Sequence, residues 1–164
     1  MNYIAENKKE YPIIKNFCKN SYYSGILQNL YSGSEGETVI FLQLRYHSYI
    51  LERFNEAISQ ALKDIASDDL KHQELLANAI QMTSSDPIYC NSEGKWLGGR
   101  QIDYIKDTKQ ILLLNLEVKE KSIIDYKIAI SKIENQQIRA LLSAILSDEE
   151  EHRTLLKKLI NNIN

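Results

Sequence analysis

Two long stretches of this chain, residues 37–86 and 101–164, contain neither glycine nor proline. That constrains the fold more than any other feature. Each stretch is too long for one globular helix and the right length for two antiparallel helices joined by a short turn. Punctuation clusters at residues 32–36, at residues 84–103 and in the amino-terminal arm with Pro12. With 2 Pro and 6 Gly in 164 residues, the chain lacks the regular turns of a β-sandwich or barrel. Apolar residues recur at three-, four- and seven-residue steps: Ile40, Leu44, Leu51, then Ile58, Leu62, Ile65, Leu76, Ile80. The second half repeats this with Leu113, Leu116, Ile124, Ile128, then Leu141, Ile145, Leu155, Leu159. Such stripes face a core. The spacing predicts four long helices over about residues 35–53, 55–83, 105–132 and 135–162, with a short helix over 21–31 before them. The expected fold is all-α: two antiparallel hairpins joined by a long crossover. The crossover carries Ile88, Tyr89, Trp96, Leu97, Ile102 and Tyr104 and reads as packed. Residues 1–33 are expected to form an arm and short helix on a bundle of residues 34–164, one domain overall.

Charge and composition narrow the function. A net charge of −2 and a pI near 5.9 argue against a nucleic-acid partner. No run reaches the roughly 18 apolar residues of a membrane span, and residues 1–10 carry no apolar signal core. Cys18 and Cys90 form neither a CxxC pair nor a disulfide framework. The expectation is a cytoplasmic protein with no membrane partner.

The two halves repeat. Asp69-Leu70-Lys71-His72-Gln73-Glu74-Leu75-Leu76 aligns with Glu149-Glu150-Glu151-His152-Arg153-Thr154-Leu155-Leu156 at an offset of 80 residues (149 − 69). The same offset carries Glu37 onto Glu117, Tyr46 onto Tyr126 and one predicted turn onto the other. An acid and a histidine at i, i+3 share a helical face and can bind one ion together. Glu37 and Asp69 are equidistant from the first turn near residue 53, as are Glu117 and Glu149 from the second near residue 133. An antiparallel hairpin sets such residues at one height. Glu37, Asp69, His72, Glu117, Glu149 and His152 are therefore expected in one layer of the core. Four buried carboxylates need compensating charge, and two iron or manganese ions would supply it.

These residues resemble the ferritin-like di-metal carboxylate proteins, and among them most closely rubrerythrin and the manganese catalases. The resemblance covers the chain from about Ser34 onward. It implies Glu37 and Glu117 as terminal ligands and Asp69 and Glu149 as metal bridges, with His72 and His152 completing two ExxH pairs. Asp69 stands where the family has Glu, one methylene shorter. Glu120, one turn beyond Glu117, resembles the extra carboxylate of rubrerythrins; it is the catalytic candidate and an additional metal ligand, favouring a donor-dependent peroxidase. The resemblance further implies hydrogen peroxide or dioxygen as substrate and a homo-oligomer of two or more chains. No rubredoxin-like CxxC pairs are present, so a peroxidase would need an external electron donor. Ferrous-iron oxidation and a non-catalytic bundle with a degenerate site are the alternatives.

Each residue also has a plainer reading. Ser34-x-x-Glu37 matches a capping box. Asp69 and Glu149 lie in acidic runs that ordinarily mark solvated faces, and Glu120 suits a surface ion pair. His47 reads as structural. Tyr46, Tyr126, Cys18, Cys90 and Trp96 read as packing, with the two tyrosines able to hydrogen-bond the layer.

Overall fold

The computed structural model describes residues 10–163. Residues 1–9 of the expected arm, Asn164, and most of the opening segment read for a signal core lie outside them. Five α-helices follow in order: α1 (Ser21–Ser32), α2 (Glu37–Leu51), α3 (Glu56–Met82), α4 (Thr108–Lys132) and α5 (Gln136–Asn162). Four of them start on a polar cap. The side chains of Asn20, Asn55, Asp107 and Asn135 each accept a backbone N–H from the first turn of the helix that follows, satisfying donors the helix itself cannot. Helix α2 differs. It starts at Gly36 without a side-chain cap bond, so Glu37 is not a capping-box acid. The α1–α2 corner is tight. A Cβ on Gly36 would lie 2.7 Å from Gly33 N and 2.8 Å from Asn29 O, both backbone atoms. Only glycine fits there, and the corner delivers Glu37 directly into the core.

Helices α2 and α3 form one hairpin and α4 and α5 the other, joined by the crossover over residues 83–107. The core is in two parts. Leu27, Leu30, Leu76, Ile80, Tyr126, Leu141 and Ile145 build one cluster. Ile40, Leu44, Leu62, Ile65, Ile111, Leu112 and Leu156 build the other. Both clusters draw on α3, α4 and α5. The segments between them, residues 69–72, 115–122 and 149–152, hold buried polar side chains instead.

Of the apolar stripe expected on the third long helix, Leu116 packs against the core, but the other three residues are on the wrong face. Leu113, Ile124 and Ile128 are 46%, 56% and 44% exposed. Helix α4 turns Ile111, Asn115, Lys119, Ser122, Tyr126 and Ala129 inward. The crossover is packed only in part. Cys90 and Ile102 are buried. Gln28 and Ser32 of α1 donate to the Ile88 and Cys90 carbonyls, and Tyr89 stacks on Tyr31. Trp96 is 71% exposed, because the short turn after Cys90 carries it outward. Among the described residues no helix is long and apolar enough to cross a membrane.

His47 is fully buried away from the polar layer. Its Nδ1 accepts from Asn115 Nδ2 at 2.8 Å and its Nε2 donates to the Asp103 carbonyl at 3.0 Å. It ties α2 to α4 and to the end of the crossover. Burial holds its pKa below the ordinary 6.5. The unfolded imidazole therefore takes up a proton first as pH falls. The His47 contribution to stability is complete above about pH 6.5 and declines below it. Urea midpoints at pH 7 and pH 5 should differ less in His47→Gln than in the parent; an unchanged difference would remove His47 as a source of acid sensitivity.

Candidate metal centre

Helices α2, α3 and α5 bring Glu37, Asp69, His72, Glu149 and His152 together in the layer between the two apolar clusters. All five are buried, and Asp69, His72 and Glu149 are completely so. Glu37, Asp69, His72 and Glu149 each offer a ligand atom, all within 4.8 Å of one another. His72 Nδ1 is 3.4 Å from Glu149 Oε1, 3.7 Å from Glu37 Oε1 and 3.9 Å from Asp69 Oδ1. Those gaps are too long for hydrogen bonds. Indeed His72 Nδ1, Glu37 Oε2 and Asp69 Oδ2 are buried with no hydrogen-bond partner. Donors about 2.0–2.2 Å from a shared ion stand roughly 3 Å apart when adjacent and about 4.3 Å when opposite. The three spacings from His72 Nδ1 fall within that range and the four donors cluster closely, so these residues fit a divalent cation.

Two residues expected here are elsewhere. Glu117 is exposed on α4 and pairs with Lys121 at 2.9 Å. Glu120 is also exposed and pairs with Lys157 of α5 at 2.8 Å. Both lie on the outward face with Leu113, Ile124 and Ile128. The α4 side chain in the layer is Lys119, fully buried. Its Nζ donates to Asp69 Oδ1 at 2.6 Å and to both oxygens of Glu149 at 2.8 Å. Residues 117 and 119 point about 200° apart on a helix, so Glu117 cannot enter once Lys119 does. The offset of 80 fails for α4: the second turn is one residue shorter, which moves the equivalent of Glu37 from 117 to 118, and helix packing turns Lys119 inward instead. Residues 52–55 join α2 to α3, whereas residues 133–135 join α4 to α5. A legible signal existed: Ile111, Asn115, Lys119, Ser122 and Tyr126 keep a four-four-three-four rhythm, but its polar members hide it.

The electrostatics follow from burial and neighbours. Burial opposes the Lys119 ammonium, but Asp69, Glu149 and Glu37 outweigh it and raise its pKa. Burial raises Asp69 to about 7, against the pull of Lys119. Glu149 is buried too, yet Lys119 and both histidines hold it well below the ordinary range. Burial opposes charge on His72, and Glu37, Asp148 and Glu149 lift it well above 6.5 regardless. His152, likewise desolvated, is raised to about 9 by Asp68 and Glu149.

A ring of supporting contacts orients the donors. Asp148 Oδ2 lies 3.2 Å from His72 Nε2 and accepts the Tyr11 hydroxyl at 2.7 Å. A proton held on Nε2 by Asp148 leaves Nδ1 to face the layer. The Tyr126 hydroxyl donates to Glu37 Oε1 at 2.5 Å. Of the two tyrosines able to hydrogen-bond the layer, Tyr126 reaches it, whereas Tyr46 packs edge-on against Tyr104.

The fold coincides with that of a known family. The model of the ferritin-like domain matches residues 17–162. The chain belongs to the ferritin-like family. A probable manganese catalase of Clostridium acetobutylicum is 20% identical over 166 residues, covering 88% of this chain and 73% of that protein. Two crystal structures of KatB, a manganese catalase from Anabaena, superpose with TM-scores of 0.86 and 0.83. Each is 18% identical and matches 99% of this chain and 81% of the other. At that identity the structural likeness establishes the ferritin-like fold.

The position of the two acidic residues is open to direct test. Glu117→Gln and Glu120→Gln should leave metal content and thermal midpoint at parental values. Glu149→Gln should abolish metal binding. Metal loss in either α4 variant would show that its carboxylate reaches the layer.

Proposed function

We propose that this chain is a metal-dependent redox protein that consumes hydrogen peroxide, with iron or manganese held by Glu37, Asp69, His72 and Glu149. The observation that carries this reading is the set of three unpartnered buried atoms among these four residues. An unsatisfied buried polar atom costs about 1–3 kcal/mol, and a shared cation would satisfy all three. Bound there, the metal would supply redox chemistry toward peroxide, taking two electrons from one peroxide and returning two to another. The manganese catalases among the similar proteins favour manganese and peroxide.

The protein's own residues would hold and move protons. His152 Nε2 lies 3.1 Å from Asp68, which is 43% exposed, and its Nδ1 lies 3.3 Å from Glu149 Oε1. That pair links solvent to the layer. Tyr126 holds Glu37 by one oxygen and leaves the other for an ion. With Glu120 at the surface, the ground for a donor-dependent peroxidase is gone. Dismutation, which needs no donor and releases dioxygen, fits the relatives better.

Manganese-loaded protein should therefore release dioxygen from peroxide without added reductant, and metal-free protein should not. Absence of peroxide loss with either manganese or iron would overturn the reading. Asp148→Asn should weaken metal binding by about 10–100-fold, the usual effect of losing a carboxylate behind a ligating histidine, measured by competition with a chelator.

One observation favours a non-catalytic reading. Lys119 and protonated His72 and His152 can balance Glu37, Asp69 and Glu149 without any metal. The layer would then be a buried ion network that fixes helix register. Under this reading gently purified protein contains no metal, and added manganese leaves the thermal midpoint unchanged.

A further inference from the structure

We infer that the layer takes one divalent cation rather than two, because the Lys119 ammonium permanently fills the second cation position. This rests on the metal-dependent reading above. Asp69 and Glu149 sit between two cationic places. One is marked by the unpartnered His72 Nδ1, Glu37 Oε2 and Asp69 Oδ2. The other is taken by Lys119 Nζ, within 2.8 Å of both carboxylates.

The charges close. The carboxylates of Glu37, Asp69 and Glu149 balance one divalent ion and one ammonium when the histidines are neutral; Asp148, also buried, stands outside this set, behind His72 and bonded to Tyr11. A fourth carboxylate from α4 would call for a second divalent ion. Exchanging that carboxylate and its ion for a lysine leaves the total unchanged. The replacement is also steric. Nζ is in hydrogen-bond contact with Asp69 Oδ1 and both Glu149 oxygens, so a second ion bridging these carboxylates would have to displace it. The nearest α4 carboxylates, Glu117 and Glu120, are at the surface in ion pairs with Lys121 and Lys157 and supply no ligand on that side. His152 therefore has no ion beside it. It serves as a hydrogen-bond partner of Glu149 and Asp68.

Stoichiometry tests this on the full chain. Metal-stripped protein is dialysed against manganese(II), and bound metal is measured by elemental analysis. One manganese per chain is expected, with the six-line electron paramagnetic resonance spectrum of an isolated ion. Two per chain, with the multiline spectrum of a coupled pair, would overturn the inference while leaving the metal-dependent reading intact. None would overturn that reading and this inference with it. Lys119→Glu should raise the content to two manganese ions per chain with a coupled spectrum. A folded Lys119→Glu protein still binding one ion would show that Lys119 is not what excludes the second. Should that variant fail to fold, the parental spectrum alone decides between one ion and a coupled pair.

Discussion

Three carboxylates held out of water in the middle of a helical bundle set the terms for the rest of this structure. Each would be neutral or disruptive there without a nearby positive charge. Lys119 provides one, with its Nζ shared between Asp69 and Glu149. The arrangement divides the core into two apolar clusters with a charged layer between them. Helices α3, α4 and α5 must each pass from apolar to polar and back along one face. A buried pair of this kind is weak evidence of stability in itself. Removing one partner is another matter: it leaves an uncompensated buried charge, commonly at a cost of about 3–5 kcal/mol. The layer therefore locks the rotation of α4 and, with it, which carboxylates of that helix face solvent.

Fold and site part company here. A chain 18% identical to the Anabaena enzyme keeps its bundle closely enough to superpose over 99% of its length. In this chain α2, α3 and α5 deliver acids and histidines to the layer, and α4 delivers a lysine. Helix packing depends on the volume and polarity pattern of whole faces, and many sequences satisfy it. Charge balance depends on single residues. Function has to be argued from those residues rather than from the architecture.

Helix α4 also shows why periodicity can mislead next to a polar site. Its outward face carries Leu113, Ile124 and Ile128, and its inward face carries Asn115, Lys119 and Ser122. Hydrophobicity alone turns such a helix inside out. On α3 and α5 the inward acids and histidines are flanked by enough leucine and isoleucine to keep the stripe legible, and there Asp69, His72, Glu149 and His152 fall where the repeat put them. The exposed apolar residues of α4 belong with the surface ion pairs of Glu117 and Glu120.

The chain's own residues determined the all-α class, the two hairpins and the long crossover, because missing glycine and proline and regular apolar steps are local properties. They also determined the two acid–histidine pairs, since i, i+3 spacing on a helix needs no knowledge of a partner. Glu37 was recognisable only by its distance from the turn, and the tight Gly36 corner then decided that it enters the core instead of capping a helix. Lys119 carried only a helical rhythm masked by its polar neighbours, and tertiary structure decided its place. A turn one residue shorter resets the register of α4, and only packing against α3 and α5 shows which face of that helix meets the carboxylates. A lysine in a polar stretch reads as solvent-exposed until three acids are found around its ammonium group.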